Sequence, residues 1–457
     1  MTNENTNTAE ERKKGYGWLH TMFMDNFGLS RGMALAASVL VVLVLAGAVG
    51  WFFWSAPPDT LTITAGLPGS SFETNAVKYR DILARNGIRL KILRSQGSQE
   101  NLERLEDPSA RVDLGFVQSG LSNSVTGVKT NALVSLGSIS YQPLLVFYRG
   151  AQRDFLSQFR GQKLVIGPAG SGTRALALTL FQLNNLESNA VTLVDLAPAA
   201  GAEALTNGTV DALFLMGDSA SPQIMRDLLR DGDIKLFDFT QADGYTRRVY
   251  YLNKLSLPEG AIDFGRNVPS HDVSLIGPTV DLLARRNLHP ALSDLMLEAA
   301  REVHRSPGLM RRQNEFPSPI EHDFPLSADA QRFYATGKSF TYRYLPFRLA
   351  SLVNRCVVVF VPVVVVLIPG MRLIPALLRL RMRIRIFRWY RALMAVERDV
   401  LVSPSTANRK DLTDRLDRIE EALNGMKVPA SYADQFYVLR QNVIFVRSQL
   451  TKPDVTH

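Results

Sequence analysis

Cysteine is almost missing from this chain: Cys356 is the only one among 457 residues. A disulfide framework is thereby excluded, and so is any metal site built from thiolates. Histidine is scarce as well. Of the six, His271, His289, His304 and His322 fall in the central part of the sequence, and no two have the spacing of metal ligands. Each reads as a surface or capping residue. The sequence has no H-E-x-x-H pair and no G-x-S-x-G elbow, so no hydrolytic constellation is present. No enzymatic activity and no cofactor are expected.

One further absence is more specific. The stretch "GPAGSGTR", residues 167–174, keeps the glycine spacing of a phosphate loop at Gly167 and Gly172. Thr173 stands where that loop needs its lysine, and Arg174 where it needs Ser or Thr. A triphosphate would lack its main counter-charge there. The turn still offers small residues, the hydroxyls of Ser171 and Thr173, and the start of a helical pattern. That is a cradle for a less highly charged anion, such as a carboxylate.

Charge is absent from two longer runs. Residues 33–54 carry none over 22 positions, enough to cross a bilayer, and close on Trp51 and Trp54 at interfacial positions. The 32 residues before the run are long for the n-region of a signal peptide, and the apolar core is longer than a usual h-region, so an uncleaved anchor is the favoured reading. Residues 356–371 form a shorter uncharged run between Arg355 and Arg372, interrupted by Pro362. Read as a span (348–371) rather than a buried strand, its end arginines can reach outward. Arg12, Lys13, Lys14 and Arg31 precede the first run. Arg372, Arg379, Arg381, Arg383, Arg385, Arg388 and Arg391 follow the second, with no acid before Glu397. This asymmetry places both termini in the cytoplasm and residues 55–347 outside the inner membrane of a bacterium. Most of the formal +9 charge lies beyond residue 348, which fits anionic lipid beside Arg372 to Arg391 better than nucleic acid.

Between the runs, strand and helix signals alternate. "LTIT", the loop "AGLPGSSF", a helical stretch, "IRLKIL", a second helix and "VDLGFVQSG" make one unit. "LVIG", "GPAGSGT", a helix, "VTLVDL", a short helix and "VDALFLMGD" repeat the plan. The reading is an α/β clamshell of two lobes with parallel sheets. Lobe one takes residues 59–140 and 270–345, lobe two 145–265, and residues 133–149 and 270–286 cross between them. Ligands bind outside the carboxyl ends of such strands, where these loops fall. The tail, residues 372–457, reads as amphipathic helices, either a self-packed hairpin or a docking surface.

Taken together, "ITAGLPGSSF", "QGSQENLERLE", "VDLGFVQSG" and "IGPAGSGTRALA" resemble, in order and spacing, the TAXI solute receptors of tripartite ATP-independent periplasmic (TRAP) transporters. The resemblance implies a type II periplasmic-binding-protein fold, a small organic anion such as a dicarboxylate or acidic amino acid as ligand, and a TRAP-type permease as partner. It implies ligand contacts from Gly66, Gly69, Ser70, Ser71 and Phe72, with Gln118 and Ser119, in lobe one. From lobe two it implies Ser171, Gly172 and Thr173, with Met216 and Gly217. Two departures stand out: Ser71-Phe72-Glu73 replaces a Tyr-Tyr-Pro, and Gly120 replaces an acid. Two spans and a helical tail are additions to the family's plan, and they leave open a second class of function, a transmembrane solute sensor.

Overall fold

The computed structural model describes residues 31–122, 132–186, 190–338, 340–402, 406–425 and 433–451. Arg12, Lys13 and Lys14, with the rest of the tail before residue 31, lie outside them, as does the turn proline Pro429. The chain divides into two compact units. One is Ala56–Asn354; the other joins Met1–Ser55 to Arg355–His457.

The first unit is the two-lobed α/β clamshell. In lobe one, β1 (Thr60–Thr64) pairs in parallel with β2 (Arg89–Leu93) and β3 (Leu114–Gln118). Helix α2 (Ser71–Arg85) and α3 (Ser98–Glu106) follow β1 and β2; α1 is the apolar helix Arg31–Trp54. In α2, Phe72, Ala76, Tyr79 and Leu83 recur at helical spacing and are buried against the sheet. Every residue of β3 is buried, as expected of a central strand covered on both faces; it is parallel to β1 and antiparallel to the strand on its other side.

Lobe two is a five-stranded sheet ordered β7–β6–β8–β5–β9. Its members are β5 (Leu145–Tyr148), β6 (Lys163–Val165), β7 (Thr192–Leu193), β8 (Ala212–Leu215) and β9 (Lys235–Leu236). Helix α4 (Gly172–Leu183) packs Leu176, Ala177, Leu180 and Phe181 into its core, with the Phe181 ring edge-on to Phe214 at 5.6 Å. Helices α5 (Pro198–Thr206), α6 (Pro222–Arg230) and α7 (Ala242–Arg248) complete it.

Two strands join the lobes. β4 (Leu133–Tyr141) and the 13-residue β11 (Val273–Arg285) run antiparallel to each other, and β10 (Leu252–Leu257) pairs with the first half of β11. Val273, Leu275 and Ile276 belong to the core of lobe two, whereas Val280, Leu282 and Ala284 belong to that of lobe one. The changeover is the hinge. There Gln142 N donates to Pro278 O at 2.8 Å and Leu144 N to Ile276 O at 2.9 Å. A Cβ on Gly277 would stand 2.3 Å from Gln142 O, so the crossing demands glycine. Helices α8 (Pro290–His304), α9 (Ala328–Thr336) and α10 (Phe340–Tyr344) close the unit on lobe one.

In the second unit, the run read between strand and span is helical. α11 (Phe347–Val402) continues unbroken for 56 residues through Pro362. Among the described residues one segment, Phe347–Gly370, is long and apolar enough to cross a membrane, with mean hydropathy 2.5. The described apolar part of α1, Ser38–Trp54, is shorter. Leu40, Leu43, Val49 and Phe53 of α1, like Val361, Val365 and Val366 of α11, are exposed. Arg355 lies 4.9 Å over the ring of Phe52, so the end of α1 meets the beginning of α11. The tail helices α12 (Thr406–Asn424) and α13 (Ala433–Thr451) do not pack on each other alone. Leu416, Ile419, Leu439 and Val443 share one core with Ile386 and Leu393 of α11.

Candidate functional site

Four loop ends meet between the lobes. Ser70 caps α2 by accepting from Glu73 N at 3.2 Å. Ser171 caps α4 by accepting from Arg174 N at 3.2 Å, while its own hydroxyl donates to Pro168 O at 2.7 Å. Both serines are fully buried. Replacing Ser171 by alanine should therefore cost about 1 kcal/mol in a urea titration, the usual worth of an N-cap.

The cleft is shut. Ser71 N donates to Gly217 O at 2.9 Å, and Glu100 N donates to Gly170 O at 3.0 Å, both across the seam. Gln118 Nε2 reaches from β3 to Gly172 O at 3.0 Å. Gln142, in the amide orientation that satisfies its surroundings, accepts from Gly217 N at 2.8 Å and from Asp218 N.

At the centre lies a carboxylate that belongs to the chain. Asp218 follows β8 and is completely buried. Its Oδ2 accepts from Gly172 N at 2.7 Å, at the start of α4, and from Ser98 N at 3.5 Å, at the start of α3 in the other lobe. Its Oδ1 accepts from Thr173 Oγ1 at 2.8 Å and Ser219 Oγ at 3.0 Å. The N-cap of α3, Gly97, has no side chain to serve that helix, so the carboxylate of Asp218 stands at two helix N-termini at once. Burial pushes its pKa up, against the opposing pull of Thr173, Gly172, Ser219 and Ser98. Two polar atoms nearby, Ser98 Oγ and Gln118 Oε1, are buried without a hydrogen-bond partner among the described residues.

The residues singled out in the sequence divide three ways. Gly66, Ser70, Ser71, Gln118, Ser171, Gly172, Thr173 and Gly217 converge on the seam, and Gly69 donates its N–H to Glu73 Oε2 at 2.6 Å in the turn before α2. Phe72 and Met216 do not face it. The ring of Phe72 packs on Phe116 in the core of lobe one at 5.4 Å, and Met216 belongs to the core of lobe two. Ser119 turns to the hinge, where it shares a hydrogen bond with Thr279 Oγ1 at 2.9 Å. The residue the motifs missed is Asp218, and with it Ser98. An acid three residues beyond a strand end, opposite a helix start, was the available signal.

Beside the seam is a cavity of about 340 Å³ lined by Ser71, Asn75, Tyr141, Gln142 and Gly217, with Lys78 and Arg311 as its cations. Arg311 Nε is buried without a partner among the described residues. Among the described residues no cluster of His, Cys, Asp or Glu has the arrangement of a metal site.

Comparison with solved structures returns distant matches with TM-scores below 0.5. The periplasmic aliphatic sulphonate-binding protein SsuA of Escherichia coli aligns at 16% identity over 53% of this chain and 73% of its own, with a TM-score of 0.33. The alkanesulfonate-binding protein SsuA of Xanthomonas axonopodis pv. citri, bound to MOPS, aligns at 17% over 61% of this chain and 94% of its own, with a TM-score of 0.36. Comparison with curated proteins gives no match. Residues 77–334, more than half of the sequence, match the NMT1-like family, and the chain belongs to that family.

Proposed function

We propose that this protein is a membrane-tethered solute receptor whose clamshell domain takes a small organic anion. The observation that carries the reading is the meeting of two helix N-termini, one from each lobe, on a single carboxylate position lined by Thr173 and Ser219 hydroxyls. Backbone N–H groups aimed at one point favour negative charge without a counter-ion. The neighbouring cavity with Lys78 and Arg311 has room for the remainder of a dicarboxylate or acidic amino acid. The sulfonate ligands of the structural neighbours make sulfonates a class to include in any screen.

Two spans fit the antiparallel meeting of Phe52 with Arg355 and the apolar exposure of both helices. They hold the binding domain on the periplasmic face of the inner membrane, with the basic segment from Arg372 to Arg391 against anionic lipid. Partnership with a TRAP-type permease rests on the resemblance of the four loop motifs. A sensing role draws support from a different feature: α11 runs without interruption from its apolar segment into the three-helix core of the tail, a rigid route for a signal.

Thermal-shift titration of the full-length protein in detergent against dicarboxylates, acidic amino acids and sulfonates tests the receptor reading. A saturable rise with one class is expected, whereas no rise with any anion removes the reading. Deleting the gene then separates the two roles. Loss of uptake of the identified anion supports transport, and normal uptake with a lost transcriptional response supports sensing.

A further inference from the structure

We propose that Asp218 is an intramolecular ligand, so that the domain closes on its own carboxylate and a free carboxylate binds the cradle only in exchange for it. The inference rests on the receptor reading above and specifies how that site is regulated. Three observations carry it. First, the carboxylate is saturated: both oxygens accept twice, from Gly172 N, Ser98 N, Thr173 Oγ1 and Ser219 Oγ. These are the donors that a bound solute's carboxylate would use, and none is left for a second anion. Second, the two lobes also meet directly along the seam. Ser71 meets Gly217 and Glu100 meets Gly170 directly, by backbone hydrogen bonds.

Third, Asp218 does not complete the seam. Among the described residues Ser98 Oγ and Gln118 Oε1 remain buried and unpartnered within it, and an unserved buried polar atom is destabilising. A site made only to hold Asp218 would have no use for them. A solute that brings its own carboxylate and further polar groups would serve all of these atoms, and that difference is what lets it compete with a covalently tethered rival. The tether gives Asp218 a high effective concentration, so wild-type affinity for simple carboxylates is set low and only a solute with added contacts opens the exchange.

The test is chemical rescue in the full-length protein. Asp218→Ala leaves a hole the size of formate beside intact donors. Sodium formate, titrated against matched sodium chloride, should raise the melting temperature of the variant saturably and leave the wild type unmoved. Carboxylates that bind both proteins should bind the variant at least tenfold more tightly. Equal responses of variant and wild type to formate, or a solute that binds the wild type as tightly as the variant, overturn the proposal while leaving the receptor reading in place. Rescue by formate with no larger anion binding either protein keeps the proposal and removes the receptor reading. Should the variant fail to fold, hydrogen exchange on solute-free wild type decides: slow exchange at the amides of Ser98 and Gly172 is required, and exchange there at the rate of an exposed loop overturns it.

Discussion

Gly66→Ala will hold the lobes apart while leaving each one folded. A Cβ at Gly66 would lie 2.6 Å from the backbone oxygen of Asp218 across the seam, and 2.6 Å from Ser70 Oγ within its own lobe. The serine hydroxyl can rotate away; a backbone oxygen on the opposite lobe moves only if that lobe moves. Overpacking of this kind costs about 1–3 kcal/mol, which opposes closure by roughly tenfold or more. The strands of both sheets should keep their hydrogen-exchange protection. The amides of Ser71 and Glu100, whose acceptors lie in the other lobe, should exchange about tenfold faster. Uniform loss of protection across β1 and β3 would show instead that Gly66 serves the fold of lobe one.

Asp281→Asn should become progressively more stable than the wild type as pH rises from about 4 to 7. Asp281 is buried on β11 at the hinge, with Ser138 Oγ donating at 2.5 Å and Ser119 Oγ at 3.4 Å. Burial pushes its carboxyl up to about 7, with the charge of Asp323 adding to the rise against the pull of the two serines. Its proton is therefore held more tightly in the native state than in the unfolded one. The stability this contributes is complete below the unfolded pKa and is lost as pH climbs toward 7. Asparagine is neutral throughout, so the difference between the two proteins should grow by on the order of 3 kcal/mol across that window.

His304 runs the opposite way. Burial, with Arg311 and Lys78 nearby, lowers its pKa to about 3, so stability is gained as pH rises toward 6.5. Between pH 4 and 6.5 the slopes from these two groups oppose each other and partly cancel in the wild type. Relative to the wild type, the profile of Asp281→Asn should slope upward there and that of His304→Phe downward, in urea titrations at several pH values. Parallel profiles for all three proteins would contradict the account of both groups.

The two-lobed plan was legible because its signals are local and repeated. Apolar runs such as "LGFVQ" and "ALFL" form central strands, and the Gly/Ser loops after "LTIT" and "LVIG" open helices with capping serines at Ser70 and Ser171. What those loops hold was not legible. Asp218 reads in sequence as an ordinary turn residue, since its four donors come from positions 98, 172, 173 and 219 and meet only in the fold. Phe72 and Met216 sit beside the seam in sequence yet point into the cores, because α2 turns its apolar face to the sheet and β8 is buried throughout. The "VTLVDL" segment yields only the two-residue strand Thr192–Leu193 at the sheet edge, where few partners fix an extended backbone. Pro362 reads as an interruption, but a proline is tolerated in a long apolar helix when neighbours or local adjustment satisfy the freed carbonyl.

The most direct measurement is the distance between the lobes in solution. Spin labels at two exposed positions, Lys91 on lobe one and Arg226 on lobe two, are introduced as Lys91→Cys and Arg226→Cys in a Cys356→Ser background of the full-length protein. Pulsed electron paramagnetic resonance without added solute should give one narrow distribution for the otherwise wild-type chain. It should move to longer distances in Asp218→Ala and in Gly66→Ala. A broad, long distribution that is the same in all three would contradict a clamshell held shut on Asp218.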